Sequence, residues 1–320
     1  MSARDRTEEV AAAYRRFAET EARGRSPLYE SLARRVAEDN AIIAFLLTLP
    51  PDKRQPNLLF AAVRYQSGRA LQWPEFRRAV LDRAEAIARL MRQRATQTNE
   101  PGRCAVLLPV LAQLPQPLAL LEVGASAGLC LLPDHYGYDY GDVRVAAESR
   151  PCLSCVASPG TPLPMRLPDV VWRAGLDLNP LDPSDAEHRA WLEALVWPEQ
   201  GDRLARLRDA LAVAREVKPP VVRGDLRHDL PGLARQAPGD ATLVIFHTAV
   251  LAYVRSAAER QAFADQVAGL ADCWIANEVP RAFPEIARTT PSTRTGFLLS
   301  VDRIPTAWTD PHGAAIDWIP

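Results

Sequence analysis

The sequence predicts an α/β fold: an open, mostly parallel sheet with an antiparallel pair at its edge, preceded by an all-helical N-terminal domain. Three observations predict it. Apolar residues recur at helical spacing before residue 118, and no strand pattern interrupts them. Beyond the Pro-rich break at Leu114–Pro117, short apolar runs alternate with helical patterns, which is the signature of parallel strands joined by helical crossovers. The last two apolar runs leave little room for a helix between them, so they are expected to pair antiparallel.

The elements follow in order. Val10, Tyr14 and Phe17 share one helical face, and Leu28, Leu32 and Val36 repeat the pattern. Ser26 is the expected N-cap of that second helix, with Pro27 at its first position. Leu58 to Val63 reads as a buried helical turn. Phe76, Val80, Ala84, Ile87 and Met91 mark one longer helix starting near Pro74. These elements make a helical domain over 1–115. The second domain, 116–320, carries the strand runs LALLEV (118–123), VVW (170–172), VVRGD (221–225), TLVIFH (242–247) and CWIANE (273–278). Ser184 with Glu187, and Ser256 with Glu259, have capping-box spacing at helix starts. GFLLSVD (296–302) and AAIDWIP (314–320) are the antiparallel pair. The stretch 136–168, rich in Pro, Gly and Tyr, is long for a connection; it reads as an inserted hairpin or ordered loop covering part of a site.

Composition excludes several function classes. The chain has 320 residues, 48% hydrophobic and 24% charged, with a formal charge of −1, so the basic footprint of a nucleic-acid binder is absent. The N-terminal MSARDRTEEV lacks the apolar core of a signal peptide, and the longest apolar stretch, Cys104 to Leu121, is broken by prolines and glutamines. No membrane span is expected. Five cysteines without a secretory signal fit a reducing cytoplasm.

The most informative segment is Leu120-Leu121-Glu122-Val123-Gly124-Ala125-Ser126-Ala127-Gly128-Leu129. A buried strand runs into a turn of small residues and, by expectation, into a helix. Small residues let a ligand approach the backbone, and a helix N-terminus offers unsatisfied N–H groups. The dinucleotide pattern G-x-G-x-x-G fails at Ser126 and Leu129. The pattern [DE]-x-G-x-G-x-G is met by Glu122, Gly124 and Gly128 and fails only at Ser126, a small residue. The same loop is also compatible with a tight turn that holds no ligand. Asp177, within RAGLDLNPLD, can accept hydrogen bonds from both hydroxyls of a ribose; Asp225, ending VVRGD, can take an adenine amino group. Glu122, Asp177, Asp225, His247 and Asn277–Glu278 all fall at carboxyl ends of strands, where open α/β sheets bind their ligands.

The chain resembles a bacterial family known as a domain of unknown function, itself similar to the class I, Rossmann-like methyltransferases. The resemblance rests on RQPNLLFAAVRY (54–65), TQTNEPGRC (96–104), LLEVGASAGL (120–129), YDYGD (138–142), WRAGLDLNPLD (172–182), VWPEQ (196–200), VRGD (222–225), FHTAVLAYV (246–254) and WTDPHG (308–313). It implies a Rossmann-like sheet with an antiparallel last strand, and S-adenosylmethionine in a cleft over Gly124 to Gly128. Two departures stand out: Ser126, and the absence of an Asn/Asp-Pro-Pro-Tyr motif after the fourth strand. The second leaves methylation of base or glutamine amines without support.

On this reading Glu122, Gly124, Ser126, Gly128, Asp177 and Asp225 hold the cofactor. Asn99, Glu100 and Arg103 either cap a helix and form an ion pair or close over the cofactor's methionine end. His247 and Glu278 are the candidate bases, needed only if the acceptor must lose a proton; a core histidine is the alternative for His247. Tyr138 and Tyr140 belong either to hairpin packing or to a substrate wall. Cys152 and Cys155 have ligand spacing, but no second such pair completes a zinc site, so no metal is expected. The expected activity is cytoplasmic methyl transfer to a small molecule. The rivals are a non-catalytic domain that binds adenosine-type ligands or a protein partner, and a nicotinamide oxidoreductase disfavoured by its missing glycines.

Overall fold

The computed structural model describes residues 3–254, 256–290 and 296–320. Two compact units divide the chain: Met1–Thr98 with Asp185–Ala205, and Asn99–Ser184 with Arg206–Pro320.

The first unit is helical. It begins with α1 (Ala3–Phe17), α2 (Pro27–Glu38), α3 (Asn40–Leu47), α4 (Pro56–Ser67), α5 (Trp73–Asp82) and α6 (Ala84–Gln93). Ser26 caps α2 by accepting from the N–H of Tyr29, and Pro27 opens the helix. Its buried face is Tyr29, Leu32, Ala33 and Val36, spaced at three and four residues as one helical stripe requires. Leu58 to Val63, expected as a single turn, lie within a full helix, α4, and all six are buried. The long helix expected from Pro74 is two helices. Arg83 leaves helical geometry at φ −117 and ψ 27, and its guanidinium bonds the carbonyl of Gln66 at 3.1 Å.

Next in the chain are α7 (Cys104–Leu111), β1 (Leu118–Val123), β2 (Gly137–Asp139), β3 (Arg144–Val145), β4 (Cys152–Ser154), β5 (Val156–Ala157), β6 (Val170–Asp177), α8 (Ala186–Leu195) and α9 (Gly201–Val217). Helix α8 packs in the helical unit despite its place among the strands. Trp191 is wholly buried in that core, and its indole N–H donates to the carbonyl of Ala95 at 3.0 Å. Asp185, one residue after the expected Ser184, caps it, because its carboxylate reaches the N–H groups of Glu187 and His188.

The chain continues through β7 (Val221–Arg223), α10 (Leu230–Ala234), β8 (Thr242–Thr248), α11 (Ala257–Ala268), β9 (Cys273–Glu278), α12 (Pro284–Arg288), β10 (Phe297–Val301), β11 (Ile304–Thr309) and β12 (Ala315–Trp318). Ser256 caps α11 as its spacing predicts. The main sheet has nine strands in the order β5-β12-β11-β10-β9-β8-β1-β6-β7. The run from β9 to β7 is wholly parallel; β9, β10, β11 and β12 pair antiparallel in turn. Central strand β1 is buried at all six positions. From β1 the chain steps outward to β6 and β7 and then returns to β8 on the other side. This reversal makes the boundary between β1 and β8 a topological switch point, where open sheets form a crevice.

One expectation about the sheet is corrected. The segments 296–302 and 314–320 do not pair with each other, because β11 lies between them. Asp302 and Arg303 both have positive φ, 49° and 68°, so they form a two-residue turn matched to strand twist and send the chain straight back. The stretch 136–168, expected as a hairpin or ordered loop, holds an antiparallel hairpin, β2–β3, within a small sheet β3-β2-β4, followed by β5 on the edge of the main sheet. Among the described residues no helix is long and apolar enough to cross a membrane.

Candidate functional site

Strand β1 ends in Glu122 and Val123 and runs into the small-residue loop. Gly124, Ser126 and Gly128 all take left-handed backbone, with φ of 75°, 52° and 70°. For Ser126 that conformation costs roughly 1–2 kcal/mol, offset by three hydrogen bonds. Its N–H donates to Oδ2 of Asp177 at 2.8 Å, its Oγ accepts from Nδ2 of Asn99 at 2.8 Å, and its carbonyl accepts from Leu181 at 3.0 Å. Gly124 has no alternative, since a Cβ there would lie 2.3 Å from Cγ2 of Val250.

The N–H groups of the loop are all committed within the protein. Gly124 and Ala125 donate to the carbonyl of Leu176, Ser126 to Asp177, Ala127 to Oδ1 of Asn99 at 3.0 Å, and Gly128 to the carbonyl of Ala125. The helix expected after the loop is absent. Two short 3-10 turns, Leu129–Leu131 and Pro133–His135, take its place, with Pro133 opening the second. Without free N–H groups or a helix dipole, this loop has nothing with which to hold a phosphate.

Beneath the loop, Glu122 is 4% exposed and its Oε2 has no hydrogen-bond partner. Burial, reinforced by Cys130 and opposed in part by Arg103, holds its carboxyl well above the usual carboxylate range. Asp177, half-buried at the end of β6, shapes the turn: Oδ2 takes the N–H of Ser126 and Oδ1 that of Asn179.

The segment Asn99–Arg103 meets this site. Asn99 clamps the loop with both ends of its amide, on Ser126 and Ala127. Glu100 has a fully buried side chain; its Oε1 accepts from Gly102 at 3.0 Å and from Nε of Arg206 at 2.9 Å. Arg103, 5% exposed, reaches the other way. Its Nε donates to the carbonyl of Pro311 at 2.9 Å, and Nη1 to the carbonyl and Oγ1 of Thr248 at 3.1 and 3.2 Å. Gly102 and Gly313 pack backbone to backbone, since a Cβ on Gly313 would stand 1.9 Å from the carbonyl of Gly102.

At the ends of β8 and β9 the alternation of strand side chains sorts the candidates onto opposite faces. His247 lies on the face of Leu243 and Ile245, wholly buried, with its ring edge-on to Phe263. The indole N–H of Trp274 donates to His247 Nε2 at 3.0 Å, so the ring proton sits on Nδ1 and goes to Oε1 of Glu278 at 2.7 Å. The expectation that His247 acts as a base is therefore corrected: both nitrogens are occupied and the ring meets no solvent. Glu278 is its partner through Oε1, while Glu278 Oε2 is buried without a hydrogen-bond partner. Its Oε1 also accepts from the N–H groups of Val250 and Leu251, which seats Val250 against Gly124.

Thr248 and Asn277, neighbours in register, face the other side with Arg103. Asn277 is wholly buried; its Oδ1 accepts from Oγ1 of Thr309 at 2.7 Å, and its Nδ2 has no partner. Thr248, Thr309 and Val250 went unnoticed in the sequence. Strand parity was the available signal for Thr248, since it steps one residue off the apolar face that holds His247.

Asp225 stands apart. Its carboxylate is held by Arg227 through bonds of 2.9 and 2.5 Å, and that contact lowers its pKa to about 2. Tyr138 and Tyr140 are packing residues whose hydroxyls donate to the carbonyls of Pro133 and Ala105. Cys155 is buried, and its thiol is pushed up to about 12 by that burial. Among the described residues no group of three or more His, Cys, Asp or Glu side chains is placed to hold a metal.

No curated protein matches this chain. One family model does, over residues 11–318, and therefore over both units and the whole polar cluster around the loop. The chain belongs to the family described as an uncharacterized protein conserved in bacteria (DUF2332).

Proposed function

We propose that this protein is a cytoplasmic, Rossmann-like methyltransferase that holds S-adenosylmethionine over the 124–128 loop and acts on a small molecule. The observation that carries the reading is the pairing, at the switch point, of an unpartnered buried carboxyl, Glu122 Oε2, with a loop whose N–H groups are all occupied. A dinucleotide needs donors for its phosphates, and this loop offers none. S-adenosylmethionine has no phosphate; it is a cation with a ribose, for which acidic side chains are suitable partners. The residues fit such a group. Burial favours the neutral form of Glu122 in the unliganded fold, and a cationic centre beside it would draw it towards the carboxylate. Asp177 retains lone pairs for ribose hydroxyls. Ser126 and Asn99 hold the loop to which the ligand would lie. Asp225, tied to Arg227, is left with a peripheral part.

When bound, the cofactor supplies an electrophilic methyl group. The chain's own work is then orientation, which accounts for much of the rate in a displacement of this kind. With both nitrogens of His247 occupied, one of them by Glu278, the imidazole does not stand ready as a base, which favours an acceptor already nucleophilic at neutral pH. The same closed pair favours a second reading, in which the site binds an adenosine-type ligand without catalysis. Calorimetry with S-adenosylhomocysteine and, separately, with NADH tests the assignment. Binding of the first alone is expected; binding of NADH alone, or of neither at millimolar concentration, refutes it. Methyl transfer to a small-molecule panel then separates the two readings.

A further inference from the structure

We propose that Arg103 and Asn277 form a carboxylate-binding subsite, so that the acceptor is a small molecule bearing a carboxylate. The inference rests on the transferase reading only in calling this ligand an acceptor. Arg103 is nearly buried, yet its described partners are all neutral: the carbonyls of Pro311 and Thr248, the hydroxyl of Thr248, and the ring of Phe297 with its centroid 5.7 Å from the guanidinium carbon. Among the described residues it makes no salt bridge, and its Nη2 has no acceptor. A buried cation without a counter-charge is costly. Glu122 does not supply one, because burial favours its neutral acid form.

Asn277 is the second, independent observation. Its side chain is wholly buried, its oxygen is filled by Thr309, and its amide nitrogen carries hydrogens with no acceptor. Thr248, which Arg103 grips, is the register partner of Asn277 on the adjacent strand, so both donors belong to one patch. The remaining Nη2 of the guanidinium and an amide NH2 match the two oxygens of one carboxylate, and charge-assisted bonds are about twice as strong as neutral ones. A neutral ligand would leave the charge uncompensated. The patch lies over β8 and β9, whereas the loop and Asp177 lie over β1 and β6, which places it on the acceptor side.

The test uses the full chain with succinate, benzoate and L-glutamate, each compared by calorimetry and melting temperature with succinamide, benzamide or L-glutamine at matched ionic strength. At least one acid is expected to bind ten-fold or more tightly than its amide. Asn277→Asp keeps an acceptor for Thr309 but replaces the free donor with a negative charge; it should weaken that acid at least ten-fold. Arg103→Lys, which keeps charge but loses the bonds to Pro311 and Thr248 that orient Nη2, should weaken it less. Acids and amides binding alike, no acid binding at all, or Asn277→Asp binding acids as well as wild type would each overturn the proposal. So would loss, in Arg103→Lys, of the preference for S-adenosylhomocysteine over methylthioadenosine, since the cofactor's own carboxylate would then occupy the patch. Acid binding in a protein that ignores S-adenosylhomocysteine supports the subsite and removes only the transferase reading. Should Asn277→Asp fail to fold, the acid–amide comparison in wild type decides.

Discussion

Replacing Asp177 with Asn tests whether this carboxylate builds the loop. Oδ2 receives the N–H of Ser126 at 2.8 Å and Oδ1 that of Asn179 at 2.7 Å. An amide of the same shape can accept only one of these, and it points its own NH2 at the other donor. Bonds to a charged acceptor contribute about 1.5–3 kcal/mol and neutral ones about 1. Losing one and weakening the other would cost more than 3 kcal/mol if the group were fully buried. Asp177 is half-buried, so water replaces part of the loss, and we expect about 2 kcal/mol. For a unit of some 200 residues, spanning Asn99–Ser184 and Arg206–Pro320, that lowers the melting temperature by about 4–8 °C. Thermal unfolding followed by circular dichroism, with and without S-adenosylhomocysteine, measures both roles of the residue. A variant melting within 1 °C of wild type would show that the carboxylate does not hold the turn, and the account of Ser126's left-handed backbone would fall with it.

Gly124→Ala should cost about 2–4 kcal/mol, from left-handed strain and from a Cβ 2.3 Å from Val250 Cγ2. Val250→Ala in the same chain should recover the steric part, and equal losses in single and double variants would reject that contact. Burial raises the pKa of Glu122 in the fold, so between the unfolded value of about 4.3 and the folded value the native state keeps a proton that the unfolded chain releases. Stability from this group is present below about 4.3 and declines as pH rises; Glu122→Gln should gain on wild type between pH 5 and 8 in urea titrations, and a constant offset across that range would mean a stably ionised Glu122. Replacing Asp302-Arg303 with Asn-Gly suits a turn with both φ positive and should add about 1 kcal/mol, while a loss would argue that the Arg303 ion pair with Asp265 matters more.

Much of the architecture was legible in the sequence because period-2 and period-3.6 patterns are local. The spans Leu118–Val123 and Cys273–Glu278 coincide with expectation because each strand is buried along its whole length, leaving a short apolar run that turns polar only at its carboxyl end. The caps at Ser26 and Ser256 were readable because an N-cap bonds a neighbour only three residues away. Strand β11 was hidden, since its turn lacks glycine and Pro305 interrupts its strand pattern.

The candidate residues were found by their position at strand ends, and that position is as far as a linear pattern reaches. Which face each side chain takes depends on packing across strands. His247 is one residue from Thr248, yet the first is sealed between Trp274 and Glu278 and the second meets Arg103. The absence of a helix after the loop, by contrast, had a local signal: the two 3-10 turns after Gly128 form where Pro133 removes a backbone donor. The sequence by itself determined the sheet class, the places of its main strands along the chain and the pool of polar residues at their ends, because burial and turn chemistry are written residue by residue. Only the tertiary structure decided which of those residues satisfy one another and which are left unpartnered, because that accounting closes through bonds between residues such as Asn99 and Ala127, or His247 and Glu278, that lie far apart in the chain.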